Sequence, residues 1–142
     1  MVLVAVLLFF IPLAHYELAE GGVKWSLGGF DQPGVFMPES VGFMLLPGIF
    51  AGLSAVISLI VVMLFRQRML QIRLSRINMI VIILLIASLF YVTDQIRGSD
   101  EVVRFAYLHG AYLSLLLPLL NYLTIGAIRN DERKVRAADR LR

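Results

Sequence analysis

Three long apolar runs without a charged residue, Gly42 to Phe65, Ile77 to Thr93 and Phe105 to Ile128, constrain this chain more than anything else in it. A helix rises about 1.5 Å per residue and the hydrocarbon core of a bilayer is about 30 Å thick, so roughly 20 such residues cross it. The first and third runs suffice, and the second is slightly short. A chain of 142 residues that is 59% hydrophobic, with mean hydropathy +0.83, is too apolar for an ordinary soluble domain.

The opening run, Met1 to Ala14, is shorter still. A signal peptide is the competing reading, but no basic residue precedes the run, and Leu13-Ala14 makes only part of a small-residue cleavage pattern. The segment is read as a retained first helix whose beginning is missing. The expected fold is then all-α: an integral membrane four-helix up-and-down bundle with spans near 1–14, 42–65, 77–93 and 105–128. An outer loop over 15–41 and a basic tail over 129–142 complete it.

Of the 13 lysines and arginines, ten fall on one side of this scheme. Arg66, Arg68, Arg73 and Arg76 crowd one connection, and Arg129, Arg133, Lys134, Arg136, Arg140 and Arg142 fill the tail. The opposite connections hold only Lys24, Arg97 and Arg104, among many acids. Basic residues stay cytoplasmic, so both termini are expected in the cytoplasm of a bacterial inner membrane. Tyr16, Trp25, Phe43, Phe90, Tyr91, Phe105 and Tyr107 cluster at the outer interface, as an aromatic belt would. The formal charge of +3 suggests nucleic acid less well than membrane orientation, because the basic residues flank the apolar runs. With no cysteine, disulfides and thiolate-ligated metals are excluded.

In the outer loop, Gly21-Gly22 and Gly28-Gly29 bracket Val23 to Leu27, whose alternation resembles a short strand, and Asp31 to Gly34 reads as a turn. A loop anchored by Trp25 at the headgroups is favoured over a hairpin lid that binds a ligand.

Within the spans, Gly48, Gly52 and Ala55 lie on one face of the second helix, and Gly48-x-x-x-Gly52 permits close helix approach. Gly110, Ser114, Leu117, Asn121 and Thr124 repeat every three or four residues along the fourth, forming a seam that faces protein. Packing explains the seam better than a solute path, and no acid or base lies deep in any span to serve ion coupling. His15 and His109 are the candidates for holding haem, but His109 points about 100° away from the seam, and two histidines define no metal geometry. No cofactor, metal or catalytic set is expected.

The basic segments are more distinctive. Arg66 to Asn78 mixes arginines with Met69, Leu70, Ile72 and Leu74, as a helical turn at anionic headgroups would. The tail repeats Val135, Ala138 and Leu141 along one strip, beside Arg133 and Arg136. Leu70 to Asn78 and the tail from Ala127 resemble an uncharacterised bacterial membrane family, domain of unknown function 4293. That resemblance covers nearly the whole chain, implies four spans and an unassigned role, and supplies no catalytic residues to carry over. The expected role is a non-enzymatic accessory or assembly subunit, docking a membrane-protein partner or a second copy through the arginine-rich face. A haem- or quinone-binding redox subunit and a small-solute channel are the alternatives.

Overall fold

The computed structural model describes residues 2–18, 21–31, 41–98 and 102–139. In chain order they form α1 (Val2–Leu7), β1 (Ala14–Leu18), β2 (Gly21–Ser26), β3 (Gly29–Phe30), α2 (Val41–Met63), α3 (Arg68–Arg97), β4 (Val102–Tyr107) and α4 (His109–Asp139). The all-α expectation is therefore corrected. The fold is mixed, with four helices and a four-stranded antiparallel sheet in the order β3-β2-β1-β4.

Two apolar stretches changed class for identifiable reasons. Pro12 has no amide hydrogen to donate and disfavours helical geometry at the residue before it. The opening run consequently splits into the six-residue α1 and a turn, with Ala14 already in β1. Phe105 to Tyr107, expected to begin the last span, instead pair with β1, Phe105 opposite Tyr16 and Tyr107 opposite Ala14. The turn at Asp31 to Gly34 extends outside the described residues.

Three helices are long and apolar enough to cross a membrane, Phe43–Met63, Arg68–Arg97 and His109–Val135, which suggests a membrane protein. Their burial follows helical spacing. Ala51, Ser54, Ser58 and Val61 are buried on α2, while Leu45, Ile49, Leu53, Val56 and Ile60 are exposed on its other side. On α3 the buried row runs Ile72, Ser75, Asn78, Ile82, Leu85, Leu89, Val92, Ile96. On α4 it runs Gly110, Ser114, Leu117, Asn121. So broad an exposed apolar surface is tolerated in lipid and not in water. α3 is the central helix, packed against both α2 and α4.

The sheet caps the end of the bundle where α2 and α4 begin and α3 ends. Its inner face carries Ala14, Tyr16, Val23 and Trp25, all buried, and Tyr16 and Trp25 share one core with Leu89, Val92 and Ile96 of α3 and Leu117 of α4. Trp25 is only 2% exposed, so it anchors the hairpin to the helix ends and not to headgroups. A tight β2–β3 turn needs Gly29, whose φ of +125° suits glycine, and the Ser26 hydroxyl donates to the Gly29 carbonyl at 3.1 Å. The cap is tied to α4 through the main chain: the amide of Leu108 donates to Leu13 O at 2.9 Å and that of Gly110 to Pro12 O at 3.2 Å. The second of these satisfies an amide that the first turn of a helix otherwise leaves unpaired.

Candidate functional sites

The opposite end of the molecule carries most of the arginines. α2 ends at Met63, a turn follows, and α3 starts at Arg68, so Arg66, Arg68, Arg73 and Arg76 sit at that end of the bundle. α4 continues unbroken to Asp139 and so brings its own basic stretch alongside. Between the α2–α3 turn and α4 lies a groove of about 440 Å³ bounded by Arg66, Arg68, Met69, Leu70, Glu132 and Val135. In the sequence these residues belong to two separate segments, about sixty residues apart. Gln71 closes the turn by donating from Nε2 to Val61 O at 2.8 Å, a carbonyl near the end of α2. The guanidinium of Arg66 stands 5.6 Å from the Phe65 ring centroid. Arg68 Nη1 is buried and has no hydrogen-bond partner among the described residues. Met69, Leu70 and Val135 leave substantial apolar surface open beside these charges. Arg133 is exposed on α4, the side chain of Arg136 is not described, and Leu141 lies outside the described residues.

About one to three turns inside the same end, polar side chains from three helices converge. Ser58 of α2, Ser75 and Asn78 of α3, and Asn121 and Thr124 of α4 line a cavity of about 130 Å³. Asn78 Nδ2 donates to Ser58 Oγ at 3.0 Å, and Asn121 Nδ2 donates to Ser75 O at 2.8 Å. Thr124 Oγ1 donates back to Leu120 O at 2.8 Å. Ser75 Oγ and Asn78 Oδ1 have no hydrogen-bond partner among the described residues, though both residues are only 1% exposed. Each such group costs about 1–3 kcal/mol when left unpaired, and lipid offers no substitute partner.

The sequence singled out Asn121 and Thr124 but missed Ser58, Ser75 and Asn78. Ser75 and Asn78 lie among arginines and read as headgroup-level residues, and the one available signal was their place in a three-four spacing with Ile82 and Leu85.

The remaining candidates are dispersed. Ser114 donates to Ala111 O at 2.6 Å within its own helix. A Cβ added to Gly48 would touch only the Leu27 carbonyl, at 3.5 Å, and one added to Gly52 would meet nothing within 4 Å. Ala55 packs at the edge of the core. His15 faces outward from β1, beside Lys24 and Ala106, with its ring over Gly22. His109 opens α4 and is exposed. Among the described residues no group of three or more His, Cys, Asp or Glu is placed to hold a metal ion.

Residues 1–141 match the model of a family described as a domain of unknown function (DUF4293). No curated protein and no solved structure matches the chain.

Proposed function

We propose that this chain, which belongs to the DUF4293 family, is a non-enzymatic subunit of a bacterial inner membrane that docks a partner protein at its arginine-bearing end. The partner segment is amphipathic and carries a carboxylate. Arg68 Nη1, buried without a hydrogen-bond partner among the described residues, on a groove that Met69, Leu70 and Val135 line together with Arg66, Gln67 and Glu132, carries this reading. A guanidinium so placed favours a carboxylate, whose oxygens match its fork of donors, and the apolar walls favour side chains over a hydrated headgroup. The concentration of basic residues at this end supports its placement in the cytoplasm.

The full chain purified in mild detergent from its native membranes tests this proposal. Val135→Ser with Met69→Ser preserves every charge, so insertion and abundance should persist while a stoichiometric partner is lost. Arg68→Gln should release the same partner. Co-purification of anionic lipid alone, self-association alone, or a partner retained by all these variants would overturn the proposal.

A further inference from the structure

We infer that the cavity between α2, α3 and α4 binds the uncharged, hydroxyl-bearing head of a molecule delivered from the bilayer. This site lies within the bundle and is independent of the docking groove. None of the side chains lining it is ionisable, which disfavours a charged ligand in so poorly solvated a place. Its open hydrogen-bonding capacity has a definite sign. Asn78 has already committed Nδ2 to Ser58, leaving Oδ1, which only accepts, while Ser75 Oγ can donate or accept. A ligand must therefore bring at least one O–H or N–H, and a hydroxyl satisfies both groups at once.

Size and access narrow the class. At about 130 Å³ the cavity takes a glycerol-sized or single-ring head, since a buried space of about 150 Å³ accommodates benzene. Val62, which lines the cavity, is 67% exposed on the lipid-facing side of α2, so the mouth opens toward acyl chains. Val2, the first residue of α1, forms another wall. An acylglycerol and a quinol share this chemistry: a neutral head with free hydroxyls and an apolar tail.

Titrating the purified full chain with 1,2-didecanoylglycerol and, separately, with decyl hydroquinone distinguishes the two sources. Saturable binding of either probe at one per chain is expected, and the probe that binds identifies the source. Ser75→Ala and Asn78→Leu should each weaken it about tenfold or more by removing a hydrogen-bonding group. Because Asn78→Leu also disturbs Ser58, Val62→Trp provides a second route: it blocks the mouth, leaves every polar group in place and should weaken binding equally. Val56→Trp, on exposed surface of the same helix that does not line the cavity, should leave binding unchanged. Absence of saturable binding by either probe to the folded wild-type chain, or binding indifferent to Ser75→Ala and Val62→Trp, would reduce the cavity to a water-filled void and overturn the inference.

Discussion

At Gly110 a side chain has no room. An added Cβ would lie 2.8 Å from Pro12 O, 3.0 Å from Leu13 Cδ2 and 3.1 Å from Ile11 O, and two of those atoms are main chain that cannot rotate aside. Gly110→Ala should destabilise the protein by about 1–3 kcal/mol, as overpacking does, by forcing the 11–13 segment away from α4. At Gly52 the added methyl meets nothing and the helical backbone gains rigidity, so Gly52→Ala should be neutral or stabilising by up to about 1 kcal/mol. Denaturant titration of the two variants in mixed micelles checks the contrast, and equal effects would contradict it. The sequence places Gly110 on a seam that faces protein, while it assigns close approach to Gly48 and Gly52. It could not reveal that the approaching group is an extended segment about a hundred residues earlier, because spacing within one helix says nothing about the path of distant chain.

The sheet is latched to α3 through Tyr16. Burial raises the pKa of its phenol well above the ordinary value near 10, and its hydroxyl lies beside Thr93 without the alignment of a hydrogen bond. A phenol harder to ionise when folded contributes its full stability below pH 10, where it is neutral in both states. That contribution declines as pH rises past 10, because the unfolded chain ionises first. Alkaline titration followed by Trp25 fluorescence should therefore show the cap loosening above pH 10 in the wild type, with a flatter profile in Tyr16→Phe. Identical profiles would remove Tyr16 as the cause. The long helices were legible because lipid-facing positions must be apolar, whereas β1 and β4 were not. Val102 to Tyr107 merges with the apolar start of α4, and strand pairing between residues so far apart leaves no local signature. The inward alternation of Val23 and Trp25 was visible, but their destination was not.

Across the whole molecule, charge and architecture agree: the cap lies at one end and most of the arginines at the other. Cysteine introduced at exposed Lys24 should react with an impermeant thiol reagent outside intact cells, while cysteine at exposed Gln67 should react only after the membrane is breached. No native cysteine competes with either reporter. External labelling at position 67 would invert the orientation. The polar cavity belongs to this scale as well, since Ser58, Ser75 and Asn121 become neighbours only when three helices pack. Pairing β1 with β4 also sets an order in time. At about 5–20 residues per second, β1 is synthesised roughly ten seconds before β4, and in that interval it has only β2 as a strand partner and its inner face lacks the ends of α3 and α4. The clasp is thus the last part to close during biogenesis, and until α4 is delivered the nascent hairpin, with Tyr16 and Trp25 uncovered, is the segment most in need of a chaperone.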